Sequence, residues 1–335
     1  MTTHALKAAL CITLWAATPL LAAEPPAFNK RGDILISDQF NNRVIEVSRG
    51  GKIVWSFGSN RPKLCNPGPG AIIAPNSAER LANGDTLMPG TGNGSCADNR
   101  VIVIDVNGDI VFQYGQAGVT GSGPEELNVP VFAIQTPDGN YLITDQGNNR
   151  IIEVDPWGDL LYQYGPTSGK GALNSPNSAL LLDNGDILIA DENNSRVLEI
   201  NPSSNNQIVF DYKRGLNTVG FASRLPNGDT LIADSGNNRI VEINTTQKIV
   251  FKYRTNLGTG SNPNPNPTGA LRLKDGTTLI ADQFNDRVII VSPSKKLLFQ
   301  YGTTNVAGNK KNQLNAPYSA MSIGDYTGFT VPPGE

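Results

Sequence analysis

The segment from Asn174 to Tyr212, NSPNSALLLDNGDILIADENNSRVLEINPSSNNQIVFDY, recurs with the same landmarks along most of the chain. Self-similarity at such a period means that each unit is one supersecondary module, too small to bury its apolar face alone. The unit splits into four strand-length runs, here a to d, separated by DNGD, DENNS and PSSNN. The Asn, Asp, Gly and Pro of these gaps tolerate turn conformations, so the runs read as a four-stranded antiparallel sheet.

Strand b recurs as GDILISD from Gly32, GDTLMPG from Gly84, GNYLITD from Gly139, GDILIAD from Gly185, GDTLIAD from Gly228 and GTTLIAD from Gly276. Strand c opens each time on an arginine: Arg43, Arg100, Arg150, Arg196, Arg239 and Arg287. Strand d carries two aromatics spaced by one residue, from Trp55 and Phe57 to Phe299 and Tyr301. Strand a carries an alanine three residues after a proline, at Ala78, Ala133, Ala179, Ala270 and Ala320, with Val219 in place of the proline before Ala222.

The first b-c-d set has no strand a before it, whereas Pro317 to Ile323 forms a spare strand a near the C-terminus. An unpaired strand would leave a sheet edge open to aggregation, so the spare strand is expected to complete the first sheet and lock a ring. The reading is all-β: a six-bladed β-propeller of four-stranded antiparallel blades, about 52 residues each, the first completed by a C-terminal strand. Thirty-five glycines and 23 prolines spread along the chain, with 17% charged residues, agree with many short strands and tight turns.

Residues 1–23 stand outside the repeats. Lys7 precedes the apolar run AALCITLWAATPLLAA, which ends in small residues before Glu24. This is the pattern of a secretory signal peptide cleaved near Ala23, leaving residues 24–335 as one domain, secreted or periplasmic. Cleavage would remove His4, the sole histidine, and leave a mildly acidic chain. Without a basic footprint, nucleic acid is not an expected partner, and no second run reaches membrane-spanning length. A monomer is expected.

The segment VPVFAIQTPDGNYLITDQGNNRIIEVDPWGDLLYQYG resembles an NHL repeat, with its proline before strand a, DG turn, aspartate ending strand b, N-x-R and closing aromatic-Gly. The style of the repeats is also similar to that of bacterial arylsulfotransferase propellers. The resemblance covers the mature chain and implies a propeller. The NHL-type lyases and the arylsulfotransferases depend on active-site histidines, which the mature chain would lack, so their chemistry does not carry over. The expected role is a non-enzymatic binding or scaffold protein, with no catalytic residues assigned.

Five blades pair an aspartate ending strand b with the strand c arginine, from Asp38 with Arg43 to Asp282 with Arg287. A device present in nearly every blade serves the fold, because active sites break repeat symmetry. Arg80, Arg224 and Arg272, equivalent in three strands a, are likewise expected to satisfy carbonyls, with Glu79 a local partner for Arg80. The aromatics outside the repeat differ. Phe40 and Phe284 lie in the b-c turns of the first and last blades, and Phe132, Phe221 and Tyr318 near the start of strand a. The b-c and d-a connections share one face, so these five define a candidate surface for a protein or small-molecule ligand. The second blade departs furthest, with Gly90 in place of the aspartate and a cysteine in each long connection; a Cys65–Cys96 disulfide would staple the two. Asn76 and Asn177, equivalent in strands a, are similar to oxygen-lined metal sites of six-bladed lactonases. A calcium-dependent hydrolase or lyase at the channel mouth is therefore the alternative function, although no convergent carboxylates accompany the two amides.

Overall fold

The computed structural model describes residues 28–58 and 67–335. It holds six antiparallel four-stranded sheets arranged as blades. The first comprises Pro317–Ser322, Ile34–Asp38, Arg43–Val47 and Ile53–Gly58, and the second Glu79–Arg80, Thr86–Gly90, Arg100–Ile104 and Ile110–Tyr114. The third runs from Pro130–Gln135 to Leu160–Tyr164, the fourth from Pro176–Leu181 to Gln207–Tyr212. The fifth runs from Val219–Arg224 to Ile249–Arg254, and the sixth from Gly269–Arg272 to Leu297–Tyr301. Every residue of every strand b is buried, as expected of central strands packed on both faces.

The ring closes as the repeats predict. Ile34 pairs with Ser322 and Ile36 with Ala320 in antiparallel register. Two backbone hydrogen bonds extend the seam, from Gly32 N–H to Ile323 O at 2.9 Å and from Ile323 N–H to Asp33 O at 2.8 Å.

The N-x-R element explains how blades join. In the third blade Asp145 accepts the Arg150 Nε–H at 2.7 Å, the Asn148 amide at 2.7 Å and the Asn128 backbone N–H at 2.8 Å. One buried carboxylate thus satisfies a strand, a turn and the connection entering from the preceding blade. The residue before each strand c arginine adopts the left-handed conformation: Asn42, Asn99, Asn149, Ser195, Asn238 and Asp286. Its side chain accepts an N–H from the chain entering the following blade, at Ala74, Val129, Ser175, Thr218, Asn266 and Ala316 respectively. Each of those partners also has positive φ, a conformation costly for Val129 and held here by that hydrogen bond.

The second blade keeps the device by another route. A Cβ on Gly90 would lie 2.2 Å from the Asp98 carboxylate, so the missing side chain makes room for it. Asp98 accepts from Arg100 Nε at 2.6 Å and from the Ile73 N–H at 2.8 Å. All six arginines therefore meet a buried aspartate. In the sixth blade the residue equivalent to Asn128 is Pro265, which has no N–H, and Asp282 Oδ1 is left without a partner. Burial pushes Asp282 up to about 6, and Asp38 likewise.

Arg80, Arg224 and Arg272 also serve blade contacts. They donate to the carbonyls of Gly84, Gly228 and Gly276, as expected. Each also pairs with a strand c glutamate of the preceding blade, Glu46, Glu199 or Glu242, and lies over a strand d ring, Trp55, Phe210 or Phe251. Glu79 is not the partner of Arg80. It turns toward the third blade and accepts the Gln135 N–H at 2.7 Å.

Candidate ligand-binding face

The residue after each strand b reaches the channel mouth on the face that bears the b-c and d-a connections: Gln39, Thr91, Gln146, Glu192, Ser235 and Gln283 in blade order. Two hydrogen-bonded arcs join four of them to neighbouring amides, while Thr91 and Ser235 donate to the carbonyls of Pro130 and Pro267. In the first, Asn266 donates to Gln283, Gln283 to Gln39 and Gln39 to Asn76 Oδ1, at 3.0, 3.0 and 2.7 Å. In the second, Glu192 accepts from Gln146 at 3.0 Å and from Asn177 at 2.7 Å. Asn177 also donates to the Tyr318 hydroxyl at 2.6 Å. Tyr318 belongs to the first blade and Asn177 to the fourth, which stand opposite in a ring of six, so this bond spans the channel. Burial pushes the pKa of the Tyr318 hydroxyl well above that of a free phenol.

Beneath this bridge the channel is apolar. Phe132 and Phe221 are buried with ring centroids 5.8 Å apart, and Phe329 meets both, at 6.0 and 6.4 Å. Phe329 comes from the segment after the last strand, which crosses the opposite mouth. There Tyr326 donates to Arg80 O at 2.7 Å and Thr330 to Leu181 O at 2.9 Å. What remains of the channel is a cavity of about 30 Å³, lined in part by Met321 and these rings. That is room for about a water molecule.

The five off-repeat aromatics therefore divide. Phe132 and Phe221 fill the channel, Tyr318 bridges it, and Phe40 and Phe284 remain 42% and 38% exposed on the face. The glutamines preceding those two phenylalanines are hydrogen-bonded to each other, so the rings flank the closure of the ring on adjacent blades. The equivalent positions in the third, fourth and fifth blades are Gly147, Asn193 and Gly236. Cys96 is buried against Ile73 and Ala74, and Cys65 lies outside the described residues, as does the signal segment.

Three residues matter here that the repeat pattern did not single out. Glu192 is the only carboxylate in its column around the mouth, a signal that aligning the six b-c turns exposes. Burial raises its pKa, and among the described residues no cation pairs with it. Asp98 is visible only once Gly90 is seen to vacate its place. Phe329 follows the last repeat, where no pattern applies.

The donors do not fit a calcium site. Asn76 Oδ1 is taken by Gln39, and Glu192 accepts two amides. Among the described residues no group of three or more His, Cys, Asp or Glu converges on one point, and no helix is long and apolar enough to cross a membrane.

No protein-family model and no curated protein matches the chain. Among solved structures, a protein of unknown function from Bacteroides caccae superposes with a TM-score of 0.62 at 18% identity, covering 87% of this chain and 98% of that one. A component of a nidogen/laminin complex gives 0.58 at 12% identity, covering 86% and 97%. A streptogramin B lyase gives 0.51 at 16%, covering 72% and 70%. At these identities the likeness is one of fold.

Proposed function

We propose that this protein is an exported, NHL-like propeller that binds a partner through its loop-bearing face and performs no chemistry of its own. The observation that carries the reading is the pair of exposed rings, Phe40 and Phe284, on the two blades that meet at the closure. Apolar surface of this kind, set beside buried amides that hold its position, is what a docking site requires. The similarity in fold to a component of a nidogen/laminin complex supports a binding role and that to a streptogramin B lyase a catalytic one, so the reading rests on the face itself. A Cys65–Cys96 disulfide beside the second blade would hold the face's longest d-a connection to its longest b-c connection, and secretion or passage to the periplasm would permit it.

The test is saturable binding of ligands from a cell-envelope extract to immobilised protein, compared with F40S/F284S. Loss of saturable capture by a variant with unchanged thermal unfolding supports the reading; unchanged capture refutes it. A second reading, acid–base chemistry at the mouth, is favoured by Glu192 alone, a half-buried carboxyl with no counter-charge among the described residues. Turnover abolished by Glu192→Gln would establish it.

A further inference from the structure

The outer rim of the ring divides into halves of opposite charge. In the c-d turn and outer strand, the second blade carries Asp105 and Asp109, the third Asp155 and Asp159, and the fourth Asp211. The fifth carries Lys248, Lys252 and Arg254, the sixth Lys295 and Lys296, and the first Arg49 and Lys52. No residue of the other sign interrupts either half. Lys170, Lys213 and Arg214 lie in connections to the next blade, on the loop-bearing face.

Both halves also expose apolar side chains beside these charges. On the acidic side Trp157 is 85% exposed, with Leu160 and Leu161 next to it on the outer strand. On the basic side Ile249, Val250, Leu297 and Leu298 are exposed on two outer strands. These outer strands pair on one edge only. A charged rim alone keeps a protein soluble, and a lone exposed leucine means nothing. Apolar strands framed by one sign of charge, with matching strands framed by the other across the ring, form a complementary pair.

We infer that the protein self-associates head to tail, the acidic apolar rim of the second and third blades docking on the basic apolar rim of the fifth and sixth blades of the next copy. Two-fold pairing of like rims would set carboxylate against carboxylate or lysine against lysine, and that repulsion steers copies away from the arrangement. Opposed rims attract at long range, and the exposed Trp157 and leucines then lose water in contact with Val250 and Leu298. Because the two rims stand on opposite sides of the ring, the contact is heterologous and repeats, giving a row of copies rather than a closed dimer. The loop-bearing face stays free along such a row, so self-association is independent of the binding proposed for Phe40 and Phe284.

Sedimentation equilibrium of the purified protein tests this. In about 0.02 M salt the mass average should rise with concentration beyond that of a dimer, and in about 0.5 M salt, where the Debye length is under half as large, it should fall toward the monomer. W157S/L161S and V250S/L298S alter exposed positions of opposite rims, and circular dichroism should show both folded. Each alone should be monomeric, and an equimolar mixture should give a heterodimer and nothing larger, since only one productive rim pair survives. F40S/F284S should assemble as the parent does. A parent monomeric throughout, a rim variant that assembles like the parent, or a mixture that remains monomeric would overturn the inference.

Discussion

Gly90 and Asp98 allow the blade-joining device to be tested by moving a carboxylate. In Asp98→Ala the Arg100 guanidinium, almost wholly buried, loses its counter-charge at 2.6 Å, and the Ile73 N–H loses its acceptor at 2.8 Å. Removing one member of a buried ion pair costs about 3–5 kcal/mol. For a ring of this size the unfolding entropy is about 0.65 kcal/mol/K, so the loss corresponds to a fall of roughly 5–8 °C in Tm. Gly90→Asp alone should also destabilise, since its Cβ would stand 2.2 Å from the Asp98 carboxylate. The double variant, G90D/D98A, gives the second blade the arrangement of the other five and should recover stability to within about 1 kcal/mol of the parent. The double-mutant cycle then shows a coupling of about 3 kcal/mol or more, measured by urea unfolding with calorimetry alongside. A double variant no more stable than Gly90→Asp would mean that Asp98 does not stand in for the missing strand b aspartate.

Three further outcomes follow from the same contacts. Glu79 is fully buried, its Oε1 has no partner, and burial drives its pKa well up, so the native state holds a proton there that the unfolded chain releases above pH 4.5. With Asp38 and Asp282 raised to about 6 in the same direction, stability should fall as pH rises from about 4 through 6, and Glu79→Gln should make that fall shallower in urea midpoints. Phe329→Ala should cost about 3–5 kcal/mol by emptying the channel between Phe132 and Phe221, and an apolar dye that binds only the variant would report the cavity. Non-reducing peptide mapping should recover a Cys65–Cys96 crosslinked pair; free thiols at both positions would remove that staple from the proposal.

The architecture was readable because each blade has the same needs, so the same residues recur at the same spacing. Proline opens strand a, aspartate ends strand b, N-x-R opens strand c, and the seam at Ala320 follows from counting strands. The inter-blade pairs were partly readable as well. Arg80, Arg224 and Arg272 occur where the preceding strand c carries Glu46, Glu199 or Glu242, while Gln135 and Ser322 follow Val103 and Ile290; the exception is Leu181, which follows Glu153. That correlation lies between units, however, and a reading that compares equivalent positions within units does not meet it; hence the assignment of Glu79 to Arg80. The mouth was less legible. Whether Phe132 points to solvent or into the channel depends on Phe329, which lies outside the repeats and has no periodic position from which to infer its contacts.

What differs from blade to blade is where function has room to act, since the shared residues are committed to holding neighbours together. By that criterion Asp145 and Arg150 drop out, and so do the strand d rings. Two sets of departures remain. One is concentrated at the closure, where Phe40 and Phe284 replace the small or polar residues of other turns, and where the mouth carries Glu192 opposite. The other is spread around the rim, where turns that serve the fold equally well with either sign have been sorted into an acidic half and a basic half. A turn such as Asp155–Asp159 needs one side-chain acceptor for the Trp157 and Asp159 N–H groups, and Ser292 plays that part for Lys296 in the sixth blade. The fold therefore does not dictate the sign at these positions, and their segregation calls for a cause outside the single ring. If the rim charges were shuffled among blades at constant net charge, by D109K/D159K with K248D/K296D, the ring should unfold at the parent's temperature within about 2 °C, as surface substitutions do. Its concentration-dependent mass should be lost. Stability that fell with the shuffle instead would return the charges to the fold and leave the rim without a separate role.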